Sequence, residues 1–81
     1  MSNPPVHTVR MGLIKASIWR NQTRVGDRHN VSLCRLYKNG DVWKESTKLG
    51  KDDLLVASKV LDQAHTWIIE ANQKEENRDA Q

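Results

Sequence analysis

The sequence contains one cysteine, no phenylalanine, two prolines and no long hydrophobic run. Cys34 has no second cysteine with which to form a disulfide, and this is compatible with a reducing cytoplasm. No apolar segment approaches the roughly 20 residues that a membrane-spanning helix needs, and the first residues lack the charged and apolar regions of a signal peptide. We therefore expect a soluble, cytoplasmic protein without a membrane-spanning segment.

The residues that carry most catalytic and metal chemistry are also sparse. The three histidines and Cys34 do not have the spacing of a metal site, and the four glycines are too scattered to form a phosphate-binding loop. Asp52 and Asp53 are adjacent acids, but carboxylates are favoured in the first turn of a helix because they suit its dipole. The sequence thus predicts no metal, no other cofactor, no small-molecule substrate and no enzymatic activity.

The chain length allows one domain with a small core. Domains of this size often depend on a disulfide, a metal or a partner subunit, and here a partner subunit remains as the option. We predict a single domain over residues 9–73, with flexible tails at residues 1–8 and 74–81.

Charge is distributed unevenly along the chain. Residues 1–51 contain ten Lys/Arg and three Asp/Glu, whereas residues 52–81 contain three Lys/Arg and seven Asp/Glu. A basic half favours an anionic partner, of which nucleic acid is the commonest. On charge alone, a solvated charged surface is an equally good interpretation.

Three strands are predicted from alternation and from turn residues: Val9–Asn21, His29–Lys38 and Val42–Leu49. In the first, the apolar side chains of Ile14, Ala16 and Ile18 share one face, and Gly12 marks a bulge or a close backbone approach. Residues 22–28 read as a basic hairpin loop. Asn39-Gly40 predicts a type I′ turn between the second and third strands.

The facing of the second strand is ambiguous from its pattern. Either Val31 and Leu33 face the core, or Ser32, Cys34 and Leu36 do. A bulge or burial of both faces in a dimer could reconcile the two. We expect Arg35 and Tyr37 to point away from the core, because a buried unpaired arginine is costly.

A long amphipathic helix is predicted from Asp52 to Asn72 by apolar residues at alternating spacings of three and four. Its apolar stripe is broader than a three-stranded sheet would cover, which indicates a homodimer through the helix. The residues expected at this interface are Leu54, Leu61, Trp67 and Ile68. The predicted fold is therefore α+β: an antiparallel β-meander of three to four strands, one long C-terminal helix, and self-association through the helix, with a sheet edge as a further candidate contact.

Binding chemistry fits the strands better than catalysis does. Single-stranded nucleic acid is bound by basic side chains that follow the phosphates and by aromatic faces on which bases stack. Trp19 is the strongest candidate for base stacking, although it could instead cover a sheet edge or pack at a dimer contact. Trp43 is a weaker candidate, because it could instead close the core beneath the helix. The residues we assign to nucleic-acid binding are Lys15, Trp19, Arg20, Arg35, Tyr37, Lys38, Lys44 and Lys48.

One family resemblance rests on the same segment. The run from Cys34 to Lys38, a turn, Trp43-Lys44, Lys48-Leu49, an acidic helix start and an amphipathic helix resembles the transcriptional coactivator family known as positive cofactor four, especially its small bacterial single-domain members. The resemblance covers Val9 to Ala71. It implies a dimer, related in architecture to the Whirly proteins, that binds single-stranded DNA on sheet surfaces without strong sequence preference.

The resemblance also implies roles for individual residues. Trp19 and Arg20 match the aromatic-basic pair that ends the family's first strand, and Arg35 matches its DNA-facing arginine. Lys44 and Lys48 match basic positions of the third strand. The chain departs from the family at Lys38, where the coactivator has an aromatic residue, and in a shorter segment before the helix.

From the sequence we expect a protein that binds single-stranded nucleic acid, DNA rather than RNA, largely without regard to sequence, in transcription or in replication and repair. One alternative is a binder of double-stranded DNA whose sheet enters the major groove. The other is a dimeric adaptor whose aromatic and basic face docks a protein.

Overall fold

The computed structural model describes residues 4–79, with side chains described from residue 4 to residue 74. Four strands, β1 (His7–Met11), β2 (Ile14–Thr23), β3 (Gly26–Asn39) and β4 (Val42–Ser46), form one antiparallel sheet in the order β1-β2-β3-β4. A 3₁₀ turn, Lys51–Asp53, leads into the helix α1, Leu54–Asp79. The predicted α+β fold, an antiparallel meander of three to four strands followed by one long helix, is confirmed, and the number of strands is four.

The predicted first strand is in fact two strands. Met11 pairs with Ile14, so Gly12 and Leu13 form a two-residue hairpin turn, and Gly12 has a φ of +61° that other residues rarely adopt. The glycine therefore marks a reversal of the chain and not a bulge. Strand β1 also begins at His7, within the predicted tail of residues 1–8.

The element ends differ from the predicted ones in a consistent way. The β2–β3 hairpin runs on until Thr23 pairs with Gly26, so the predicted loop over residues 22–28 shrinks to Arg24 and Val25. Strand β4 ends at Ser46. Helix α1 continues to Asp79, beyond the predicted domain end at residue 73; residues 1–3 and 80–81 of the predicted tails lie outside the described part of the chain.

The β3–β4 turn is displaced by one residue from the predicted one. Asn39 pairs with Val42, so the central turn residues are Gly40 and Asp41, and of these only Gly40 has a positive φ. A single positive φ at the first central position is the pattern of a type II′ turn and not of type I′. This displacement shifts the pairing by two residues, so that Trp43 lies opposite Lys38 and not opposite Leu36, on the same face of the sheet.

The core lies between α1 and one face of β1 and β2. Ile14, Ala16 and Ile18 of β2 point toward the helix, as predicted, and Ala57, Val60 and Ala64 of α1 pack onto them with Val9 of β1. Ile14, Ile18 and Val60 are the largest fully buried side chains. Small alanines on both surfaces let the helix approach the sheet closely. Partly buried residues surround this cluster: Met11, Leu33, Leu49, Val56, Trp67 and Ile68.

The start of the helix is fixed to the sheet by Asp53. Its carboxylate accepts a hydrogen bond from the Gly50 backbone N–H at 2.8 Å and forms an ion pair with Arg35, with Asp53 Oδ2 and Arg35 Nε 3.1 Å apart. The buried Nε makes no aligned hydrogen bond, so the carboxylate compensates its charge without fully satisfying the donor. Arg35 is therefore on the helix side of the sheet, and its predicted outward orientation is wrong: the ion pair offsets the cost on which that expectation rested.

We expect Asp53→Ala to lower the free energy of unfolding by about 1–2 kcal/mol, because it leaves Arg35 Nε uncompensated and removes the acceptor of the Gly50 N–H. The partial exposure of both side chains keeps the value modest. Urea unfolding followed by circular dichroism measures it. Asp52→Ala, at an exposed neighbouring position, is the matched control with an expected change within about 0.5 kcal/mol. Equal effects for the two variants would contradict the structural role of Asp53.

Candidate nucleic-acid interface

Strand pairing divides the sheet into a helix-side face and an open face. Residues paired across strands point to the same side, and successive residues alternate. Ile14 faces α1, so its partner Arg35 faces α1 as well. Tyr37 lies two residues further along β3 and therefore on the same side, and so does its partner Lys44. Lys15, Trp19 and Lys38 fall on the other face, which α1 does not cover.

The predicted binding residues are thus not gathered on one face. Lys15, Trp19 and Lys38 lie on the open face, whereas the helix-side face holds Arg20, Arg35, Tyr37 and Lys44. Lys48 lies in the segment between β4 and the 3₁₀ turn. Any nucleic acid that contacts all of them would have to pass around a sheet edge.

The open face also holds three residues that the sequence reasoning did not assign to binding. Trp43 lies directly opposite Lys38 and is 56% exposed, so it is not part of the core. Arg10 lies opposite Lys15, and Arg28 lies opposite Asn21. Trp43 was missed because the facing of β3 was predicted the wrong way round: Trp43 shares a face with Leu36 and Lys38, and that face points away from α1.

The two tryptophans stand at opposite ends of this face. Trp19 is half-buried opposite Asn30, and Trp43 is exposed opposite Lys38. Asn30 and Lys38 are eight positions apart on β3, which corresponds to about 27 Å at the usual rise of a strand. Ser17, which is buried, and the exposed Ser32 lie between them on this face.

One acidic side chain reduces the positive charge of the open face. Glu45, opposite Leu36 on β4, forms an ion pair with Lys15, and this hydrogen-bonded contact raises the pKa of Lys15 and lowers the pKa of the Glu45 carboxyl. Both groups are therefore charged at neutral pH. Cys34, directly opposite Lys15, is buried, and its burial, together with the Glu45 charge, raises the pKa of the thiol. A thiol in this state is a weak nucleophile.

On the helix-side face, two predicted binding residues are engaged within the chain. Arg20 Nε donates to Asp27 Oδ2 at 3.0 Å, and Arg35 is paired with Asp53 as described above. Tyr37 and Lys44 lie beyond the helix and are exposed.

Trp67, which the sequence placed in the core or an interface, packs within the chain. Its ring stacks on His7 with centroids 4.8 Å apart and planes 4° from parallel, and it meets His29 edge-on at 6.2 Å. It thereby closes the core over the end of β2. The same ring forms one wall of a groove of about 440 Å³ between β1 and α1.

The described residues were searched for clusters of metal-binding side chains and for helices able to span a membrane. Among the side chains that the structure describes, from residue 4 to residue 74, no three His, Cys, Asp or Glu side chains converge as a metal site would require. Over the same part of the chain, no helix combines the length and the apolar character needed to cross a membrane.

The chain was compared with protein-family models, curated proteins and solved structures, and none of these matches it.

Proposed function

We propose that the protein binds single-stranded nucleic acid, DNA in preference to RNA, on the open face of its sheet and largely without regard to sequence. The observation that carries this proposal is the combination on one uncovered face of two tryptophans with four cations and a single acid. The cations are Arg10, Lys15, Arg28 and Lys38, and the acid is Glu45. Phosphates need the charge, and unpaired bases need the aromatic faces.

The shape of the face favours a single strand. Bases in a duplex are stacked on one another and present only their edges, whereas the exposed ring of Trp43 offers a whole face for stacking. A track of about 27 Å between the tryptophans accommodates several nucleotides. A strand that leaves this track around the β4 edge would reach Tyr37 and Lys44, and so the predicted contacts on the other face.

We also propose that the chain is a member of the positive cofactor four family. The order of elements, a meander followed by a terminal helix, is the one the resemblance implies. A role in transcription or in replication and repair is part of this proposal.

The protein is further proposed to form a homodimer through α1. Leu54 and Leu61 are exposed on the helix, and with the partly buried Ile68 they form an apolar stripe with a spacing of seven residues. We call these three residues the apolar flank of α1. Trp67 is not needed for this interface, because its ring already packs on His7.

Two charge reversals on the same hairpin test which face binds. Lys38→Glu reverses a charge on the open face. Lys44→Glu reverses the same charge on the helix-side face, in the neighbouring cross-strand pair Tyr37–Lys44. We expect Lys38→Glu to weaken binding of a labelled single-stranded oligonucleotide about tenfold and Lys44→Glu to weaken it about threefold or less. Fluorescence anisotropy measures both. A larger effect of Lys44→Glu would move the site to the helix-side face.

Removing the acid of the open face should strengthen binding. In Glu45→Gln, Lys15 loses its ion-pair partner and becomes available to a phosphate, so we expect tighter binding and a log–log salt slope steeper by about 0.7. Anisotropy titrations at several salt concentrations measure the slope. Asp41→Asn, at the exposed β3–β4 turn, removes the same charge elsewhere and serves as control. Equal gains for both variants would mean that only net charge matters, and not the Lys15–Glu45 pair.

A further inference from the structure

The outer edge of β1 is open. Strand β1 is the first in the sheet order, and within residues 4–79 no other strand pairs with its outer side. Met11 and Ile14 flank the two-residue turn at Gly12 and therefore form a hydrogen-bonded pair. Hydrogen-bonded and non-hydrogen-bonded pairs alternate along an antiparallel ladder, so Val9 and Ala16 form the next hydrogen-bonded pair. The main-chain groups of Val9 therefore face β2, whereas the N–H and C=O groups of Thr8 and Arg10 face outward.

A polar flank of α1 runs beside this edge. Lys59, Gln63, Thr66 and Glu70, which we call the polar flank, are exposed and recur at spacings of four, three and four, so they share one side of the helix. Three of them line the groove between β1 and α1, opposite residues His7 to Arg10. The polar flank is on the other side of the core stripe from the apolar flank.

The helix runs antiparallel to β1. Its start is held by Arg35, beside the Met11 end of β1, and Trp67 lies on His7 at the other end. The centre of the polar flank, between Gln63 and Thr66, thus lies near the middle of β1.

We propose that β1 pairs antiparallel with β1 of a second copy of this chain, about a twofold axis at Val9, to give one continuous eight-stranded sheet. Thr8 of each copy then exchanges both main-chain hydrogen bonds with Arg10 of the other. The two Val9 side chains meet at the axis on the helix side. A twofold interface of this kind requires a surface complementary to itself.

The polar flank meets that requirement. The midpoint between Lys59 and Glu70 lies between Gln63 and Thr66, two residues that line the groove. An antiparallel second helix therefore brings Lys59 of each copy opposite Glu70 of the other, so the ends carry opposite charges and the centre carries neutral polar side chains. This self-complementarity selects a second copy of the chain as the occupant over an unrelated extended peptide.

The interface does not depend on nucleic-acid binding, and it leaves the apolar flank of α1 free. It would join the open faces of two copies, with Arg10 and Lys15 of each beside the junction. A strand bound across it would contact both copies.

A proline at the outward-facing position separates edge pairing from folding. Thr8→Pro removes an N–H that makes no bond within the sheet and so blocks pairing with a second β1, whereas Thr8→Ala keeps that N–H. Sedimentation equilibrium of the full chain should show Thr8→Pro shifted to a smaller assembly, with self-association weakened about tenfold or more, and Thr8→Ala unchanged. An unchanged assembly state of folded Thr8→Pro, or a wild-type protein that is monomeric throughout, would overturn the interface.

Charge exchange on the polar flank gives a second, independent test. Lys59→Glu and Glu70→Lys each place like charges opposite one another and should each weaken self-association, while the double variant restores opposite charges and should recover it. A double variant as weak as the singles would overturn the proposed pairing. Leu61→Glu serves as the control for the apolar flank: it breaks that interface and leaves the β1 interface in place.

Discussion

Ile18→Ala should lower the free energy of unfolding by about 2–5 kcal/mol, the largest effect that we expect for a single substitution in this protein. Ile18 is fully buried in the cluster that joins the sheet to α1. Truncation removes its apolar contacts and leaves a cavity that the alanines nearby are too small to fill. Such a loss is a large fraction of the 5–15 kcal/mol typical of a whole domain. Urea unfolding followed by circular dichroism measures it.

Val31→Ala is the matched control. Val31 lies directly opposite Ile18 on β3 and on the same face, but it is 40% exposed. We expect a cost of less than about 1 kcal/mol there, because less apolar surface is returned to water. If both substitutions cost the same, the helix would not be centred on β2 as the structure has it.

Trp43→Ala should weaken the binding of a single-stranded oligonucleotide about 10- to 100-fold, since one stacked base contributes about 1–3 kcal/mol. The fold should be retained, because Trp43 lies outside the core cluster and is more than half exposed. Anisotropy gives the affinity, and circular dichroism checks the fold.

Val42→Ala controls for a general effect on the β3–β4 hairpin. Val42 is the preceding residue, is similarly exposed, and points to the helix-side face. We expect its affinity to match that of the wild type within about twofold. Intact affinity in Trp43→Ala would remove this residue from the stacking surface and leave the open face without its most exposed aromatic ring.

The fold was largely predictable because its strongest sequence signals are local. Alternation placed Ile14, Ala16 and Ile18 on the buried face, and the helix period placed Val60 and Ala64 opposite them. The split at Gly12 was missed because the apolar alternation changes phase between Met11 and Ile14, and a bulge explains such a change as well as a two-residue turn does. The pairing of Met11 with Ile14 distinguishes the turn from a bulge.

The candidate site was less predictable because it depends on the facing of β3 and on a distant partner. Trp43 shares a face with Leu36 and Lys38 with either placement of the turn, so its exposure depends on which face of β3 points away from α1. The orientation of Arg35 depends on Asp53, which lies on another element and looked like an ordinary first-turn acid. The cost of burying an unpaired arginine led to the prediction that Arg35 points away from the core. The prediction was wrong because Asp53 was not recognised as its ion-pair partner.

The most direct test of the account is the anisotropy of a labelled mixed-sequence single-stranded oligonucleotide at two salt concentrations, with unlabelled duplex as competitor. We expect tight binding with a log–log salt slope of about −2 to −3, from the few phosphates that the open face can neutralise, and little displacement by duplex. Displacement by equal amounts of duplex would favour a reader of double-stranded DNA. An absence of binding at low salt would contradict the nucleic-acid account and leave the open face as a surface for docking a protein.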